Sequence, residues 1–243
     1  MSKLENKRVA VIGGSSGIGF AVAARAAAEG AHVIVGSSNA KNVDAAVKRL
    51  DGNAAGWTVD VRDEASVAAF FERVGSFDHL VYTAGDWNPN RGGGPVKQLD
   101  LNGANATFTV RFWGALSAIK HAQGRIANDG SITVTDGLVA HRPRKGAALS
   151  TAMAGAIEHL TRALAVDLAP LRVNAVCPGF VLTEVWNSIP EDQRKDRFAK
   201  MTERLPLPRV GTPDEVAEAY LYLMRGTYST GQVLLVDGGM ALV

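Results

Sequence analysis

Cysteine is nearly absent from this 243-residue chain. Cys177 stands alone, so no disulfide can form within the chain, and a single thiol fits a reducing compartment. No apolar run comes near the ~20 residues that cross a bilayer. No apolar segment of the kind that directs secretion lies before Lys3-Leu4-Glu5-Asn6-Lys7-Arg8, so a cytoplasmic location is expected. An excess of one charge is also lacking. The 26 Lys and Arg residues against 24 Asp and Glu leave a net +2, too weak a field to argue for nucleic acid or an anionic membrane as partner. Internal repeats and low-complexity tracts are missing, and no metal site is expected. The length suits one well-buried domain over residues 1–243 and is short for two.

What is present is an alternation of short apolar runs with helical patterns. Val9-Ala10-Val11-Ile12 reads as a buried parallel strand, residues 13–19 as a glycine-rich turn, and residues 20–30 as an Ala-rich helix closed by Gly30. A strand feeding such a turn into a helix is built to hold phosphate. Backbone N–H groups point at the anion, the helix start adds partial positive charge, and missing side chains let a dinucleotide approach. No Lys-Ser/Thr follows the glycines, which excludes a nucleotide-triphosphate loop. Further strands are expected at His32–Val35, Gly56–Val61, Phe77–Tyr82, Ser131–Thr135, Leu171–Val176 and Gly231–Gly239. Helices are expected at Ala40–Leu50, Asp63–Val74 with Asp63 as N-cap, Leu99–Gln123 and Ala147–Leu168, and a last one opens with Thr212 as N-cap, Pro213 at N1 and Glu215 at N3. The pattern predicts an α/β fold, a doubly wound parallel sheet of about seven strands with helices on both faces and ligand beyond the carboxyl ends of the strands.

The spacing Gly-x-x-x-Gly-x-Gly at Gly13, Gly17 and Gly19 resembles the short-chain dehydrogenase/reductase family. Asp60-Val61 stands where that family contacts adenine, Ala84-Gly85 where its backbone nears the cofactor, and Pro178–Thr183 resembles its Pro-Gly-x-x-x-Thr, which holds the nicotinamide carboxamide. The resemblance implies a Rossmann-type oxidoreductase. It places the cofactor on Gly13, Ser15, Ser16, Gly17, Ile18, Gly19, Asp60, Val61, Ala84, Gly85, Pro178, Gly179, Val181 and Thr183. It also implies a substrate lid around residues 184–209 and a homodimer or homotetramer. The stripe Phe108, Phe112, Trp113 and Leu116 reads as core or subunit interface, and Asp86–Gln98 as a loop on the side where substrate enters. Two departures concern the turn itself: Ile12 replaces a Thr, and Tyr82 and Thr83 replace two asparagines that brace the family's sheet.

An acid is missing as well. NAD-preferring domains place Asp or Glu roughly 20 residues past the glycines, to bind the ribose 2′-hydroxyl. Here Gly36-Ser37-Ser38-Asn39 stand, with Lys41 beside them. Ser37, Ser38 and Asn39 are therefore assigned to a 2′-phosphate, favouring NADP(H) over NAD(H). The plainer reading makes them a polar turn capping the next helix.

The largest absence is catalytic. The family transfers hydride with Ser, Tyr, Lys and Asn, and its Tyr and Lys stand four apart on one helix face. No Tyr lies between Tyr82 and Tyr220. The Tyr and Lys positions fall on Ser150 and Ala154, or one residue earlier on Leu149 and Met153. The Ser position falls on Asp136 or Gly137, and the Asn position on Arg111. Without an activated phenol, a developing alkoxide finds no proton. Asp136 and Arg111 form either a buried ion pair or a site for a cationic or strongly polarised acceptor such as an iminium, whose charge a carboxylate stabilises. Ser150 is placed to orient a carbonyl. His141 is either a solvated loop histidine or a proton source near neutral pH. Three functions compete: an NADP(H)-dependent oxidoreductase with a replaced proton relay, a catalytically silent NADP(H)-binding sensor or partner subunit, and a non-redox enzyme performing isomerisation, elimination or cyclisation.

Overall fold

A computed structural model describes residues 4–50, 52–85, 94–101 and 103–243. Its seven strands are β1 (Arg8–Ile12), β2 (His32–Ser37), β3 (Ala54–Thr58), β4 (Phe77–Tyr82), β5 (Ile126–Thr135), β6 (Arg172–Pro178) and β7 (Val233–Val236). They form one sheet in the order β3-β2-β1-β4-β5-β6-β7, with every neighbouring pair parallel. The chain runs outward from β1 to β3 and then returns beside β1 as β4. At that reversal the connections leave on opposite faces, so a crevice opens beyond the carboxyl ends of β1 and β4.

Strands buried on both faces carry continuous apolar runs, which is why Val9-Ala10-Val11-Ile12 does not alternate. Ala10, Ile12, Leu80, Ile132 and Val173 face a layer holding α3 (Glu64–Val74), α4 (residues 106–122) and α5 (Ala148–Asp167). Val9, Val11, Val35, Val81 and Val176 face the other layer, with α1 (Gly17–Ala28) and α7 (Pro213–Arg225). Also present are α2 (Ala40–Arg49) and α6 (Glu191–Thr202). Two helix starts obey their sequence signals. Asp63 accepts from the Ala65 amide at 3.0 Å, and Thr212 and Glu215 form a reciprocal capping box.

Some boundaries moved. β3 ends at Thr58, which leaves Asp60 and Val61 in the turn after it, and β7 is confined to Val233–Val236, between glycine-containing turns. The helix expected from Leu99 begins at Ala106, behind a 3-10 turn at Val96–Gln98 and a turn containing Gly103. The loop reading of Asp86–Gln98 falls largely on residues 86–93, outside the described residues.

Within α4, Thr109–Trp113 is π-helical. Buried Tyr82 donates its hydroxyl to the Val110 carbonyl, drawing that group away from the helical ladder. Gly114 allows the approach, since a Cβ there would meet Tyr82 Oη at 2.5 Å. Tyr82 therefore braces α4 against the sheet in place of the family's asparagine. Phe108 and Phe112 pack on the core, whereas Trp113 faces outward and is 56 % exposed.

Candidate active site

Beyond Ile12 the backbone turns at Gly13 with φ of 87°, a left-handed conformation that favours glycine. Both Thr83 N–H and Thr83 Oγ1 donate to the Ile12 carbonyl, at 2.8 and 3.2 Å, which ties β4 to the end of β1. A Cβ on Gly19 would lie 2.2 Å from the Gly13 carbonyl oxygen, so α1 begins against the turn only because that side chain is missing. The Ser16 hydroxyl does not cap α1. The Gly17 N–H instead donates to Glu184 Oε2 at 2.9 Å. A carboxylate thus occupies the start of α1, where free N–H groups and the helix dipole favour an anion. That contact, together with the absent side chains, shows that the turn suits a dinucleotide's phosphates; Glu184 would have to give way to them.

The other residues expected to contact the cofactor lie at or beyond the carboxyl ends of β2, β3, β4 and β6. Ser15 Oγ lies 3.0 Å from Ser37 Oγ across the ends of β1 and β2, and Ser38 is exposed. Asn39 Oδ1 accepts from the Asn42 amide at 3.2 Å, so that oxygen caps α2 as the plainer reading had it. Asp60 is bound through both carboxylate oxygens to Arg62, at 2.8 and 2.7 Å, and this hydrogen bonding holds its carboxyl below the usual range. Val61 packs against Gly114. A Cβ on Gly13 would meet the Ala84 amide at 2.6 Å. Ile18 packs into the α1 layer. Pro178 ends β6, Gly179 N–H donates to the Val236 carbonyl at 3.0 Å, and Val181 is bridged to Gly211. The Thr183 methyl stands beside Gly17, within 3.3 Å of where a Cβ would be. A cleft of about 500 Å3, lined by Gly17, Phe20, Arg49, Thr183, Glu184 and Arg194, runs from this junction along α1. The segment over it is anchored by Trp186, whose buried indole donates to the Val181 carbonyl at 3.0 Å and meets Phe198 edge-on at 5.0 Å.

Asp136 follows β5 directly, and its N–H donates to the Val176 carbonyl of β6 at 2.8 Å. The residue is 2 % exposed, and neither side-chain oxygen makes a well-aligned hydrogen bond, although the Gly137 N–H, the Glu158 carboxyl and the Cys177 thiol lie against them. Burial, reinforced by the charge of neighbouring Glu158, pushes its carboxyl up to about 7. Arg111 lies in the π-helical stretch with its guanidinium across Gly85, where a Cβ would meet Nη2 at 2.8 Å. No hydrogen bond or ion pair joins Asp136 to Arg111, so the buried-pair reading fails. The two stand on separate elements, and each already has its own packing surface. The Ser150 hydroxyl donates to the Ala147 carbonyl at 3.1 Å, on the first turn of α5. A Cβ on Gly137 would be 4.0 Å from that of Ala154. Small side chains therefore meet where the start of α5 faces the end of β5.

Sequence reasoning missed what surrounds Asp136. Glu158 of α5 is 7 % exposed, and buried Cys177 lies on β6. His141 Nε2 is 2.6 Å from Glu158 Oε1. One sequence signal was available. Glu158 stands on the helix face that buries Met153, Ala154, Ile157, Thr161 and Leu164, where an unpaired acid is costly.

Residues 12–241 match the family model described as enoyl-(acyl carrier protein) reductase. The chain belongs to the short-chain dehydrogenase/reductase family. It is 35 % identical to the short-chain dehydrogenase/reductase ATR9 of Stachybotrys chlorohalonatus, with all of both chains covered. Among solved structures of the family, it is similar to the MalC reductase/Diels-Alderase of Malbranchea aurantiaca at 32 % identity and a TM-score of 0.91, covering 99 % of this chain and 98 % of that one. A small-chain dehydrogenase in complex with NADPH shares 33 % identity at a TM-score of 0.83, over 98 % of this chain and 100 % of the other.

Proposed function

We propose that this short-chain dehydrogenase/reductase uses NADP(H) in preference to NAD(H) and reduces a polarised acceptor, such as an imine or an activated carbonyl, without a Tyr/Lys relay. A bound reduced nicotinamide supplies hydride. The chain's own residues hold that cofactor at the Gly13–Gly19 turn, at Ser37 and Ser38, and along Pro178–Thr183. The observation that carries the reading is the buried carboxyl of Asp136 at the end of β5, without a well-aligned hydrogen bond or a cation to neutralise it; the sequence resemblance, which puts Ser150 and Ala154, or Leu149 and Met153, at the Tyr and Lys positions, supports it. An ordinary ketone needs a proton delivered as its alkoxide forms. An iminium needs only hydride and a group that stabilises positive charge, which a preorganised carboxylate supplies. Arg111, whose guanidinium lies across Gly85, orients an electron-rich part of the acceptor.

The test is cofactor titration followed by turnover of cyclic imines, ketones and alcohols on one preparation. Imine turnover should exceed ketone turnover, and Asp136→Asn should lower it roughly 100-fold, the usual scale for one preorganised electrostatic group. Equal activity of Asp136→Asn would remove Asp136 from the site. A second reading has one observation in its favour: a relative with this fold is named a reductase and Diels-Alderase. A pocket that shapes an iminium also shapes the cyclisation of a conjugated one, and product analysis without cofactor would detect it.

A further inference from the structure

The cluster around Asp136 joins side chains from three parts of the chain. A carboxylate oxygen of Asp136, a ring nitrogen of His141 and Cys177 Sγ lie within 4.8 Å of one another. The Glu158 carboxyl faces Asp136 from α5. Its Oε2 is 3.3 Å from Arg162, and its Oε1 is 2.6 Å from His141 Nε2, in a contact without hydrogen-bond alignment. The His141 side chain is 31 % exposed. The groups are thus graded from the buried Asp136 carboxyl, through Glu158, to an imidazole in contact with water. Tyr220 of α7, which also feels Arg111, is a further titratable neighbour of Asp136.

Burial and the charge of Glu158 beside it keep the proton on Asp136. A divalent cation is the rival occupant, given a thiol, an imidazole and a carboxylate within reach. His141 Nε2, however, lies 2.6 Å from Glu158 Oε1, and Asp136 faces that second carboxyl as well as the thiol. The acid pair is therefore the better account.

We propose that His141 and Glu158 form a proton path from solvent to Asp136, making Asp136 the replenishable proton donor of this site. The proposal rests on the imine reading above and adds the source of its proton. Asp136 gives its proton to a neutral imine nitrogen and becomes the carboxylate that pairs with the resulting iminium. Proton and hydride together convert the C=N bond to an amine. Asp136 regains a proton from Glu158, Glu158 from His141 Nε2, and His141 from water. One group thereby serves first as acid and then as counter-ion.

Carboxyl titration by carbon-13 NMR on the full chain, with Asp136→Asn assigning the signal, reads the acid pair without any turnover. Glu158→Gln should lower the Asp136 midpoint by about one pH unit or more, because a neighbouring negative charge is gone. His141→Asn should slow imine turnover about tenfold at pH 8, where protons are scarce, with added imidazole restoring it. An Asp136 midpoint unmoved by Glu158→Gln would overturn the path, as would a turnover loss that imidazole does not rescue. Stoichiometric uptake of Zn2+, or of Co2+ with thiolate absorption, would replace it by a metal site. If no imine is turned over, the functional reading fails, and the NMR result still decides whether the acid pair exists.

Discussion

Asp136 keeps its proton over a pH range in which most carboxyls have lost theirs. Its folded value is about 7, against the ordinary 3.8, so between those limits the native chain binds more protons than the unfolded one. Stability must therefore fall as pH rises through that window. Asp136→Asn removes the effect. Its melting temperature relative to wild type should climb between pH 4 and pH 8, by about 3 °C or more. A gap that stays constant with pH would mean that Asp136 titrates normally. The opposite outcome, a large loss of stability on removing Asp136, would follow only if it paired Arg111, and the structure leaves that pair unmade. Ser37 raises a separate question of charge. It closes β2 against Ser15, so Ser37→Asp puts a carboxylate where a 2′-phosphate would bind and should reverse the preference from NADP(H) to NAD(H). Calorimetry with both cofactors checks this, and an unchanged preference would place the 2′-phosphate elsewhere.

At the scale of elements, the start of α1 holds the main conflict. Glu184 accepts from the Gly17 amide where phosphate is expected, so cofactor and side chain compete for one anion site. Glu184→Ala should tighten cofactor binding about fivefold, equivalent to an anion–helix contact of ~1 kcal/mol. Weaker binding would show that Glu184 helps to hold the cofactor rather than opposing it. The start of α7 offers a plainer test. Thr212→Ala removes a hydroxyl that accepts from the Glu215 amide at 3.2 Å and should cost about 1 kcal/mol, read as a lower melting temperature. The π-helical stretch of α4 is the third such feature. Tyr82 takes a carbonyl out of its ladder, and in the same stretch Arg111 is carried out over Gly85.

For the whole molecule, α4 and α5 lie together on one face of the sheet, and Trp113 and Val166 leave apolar surface uncovered there, at 56 % and 77 % exposure. Family resemblance pairs these two helices across a two-fold axis, so the expected assembly is a symmetric homodimer or homotetramer. Light scattering at micromolar concentration should give a multiple of 25.6 kDa. Trp113→Glu should shift that mass toward the monomer, and a monomeric wild type would contradict the assembly.

The parallel sheet, the glycine turn, the helix caps at Asp63 and Thr212 and the membership of the family were legible in the sequence. Each depends on residues close together in the chain, where spacing sets the geometry: apolar runs for buried strands, glycines for a turn, a hydroxyl three residues before a glutamate for a capping box. That no Tyr lies between Tyr82 and Tyr220 is legible directly in the sequence. Who partners whom around Asp136 was not legible. The sequence set Asp136 facing Arg111 and left His141 as either a solvated loop residue or a proton source. Folding put Asp136 beside Glu158, 22 positions on, and Cys177, 41 positions on, with His141 reaching the same acids. Those neighbours are set by how α5 lies across β5 and β6. Only burial in that three-sided contact turns an ordinary carboxylate into a group that retains its proton.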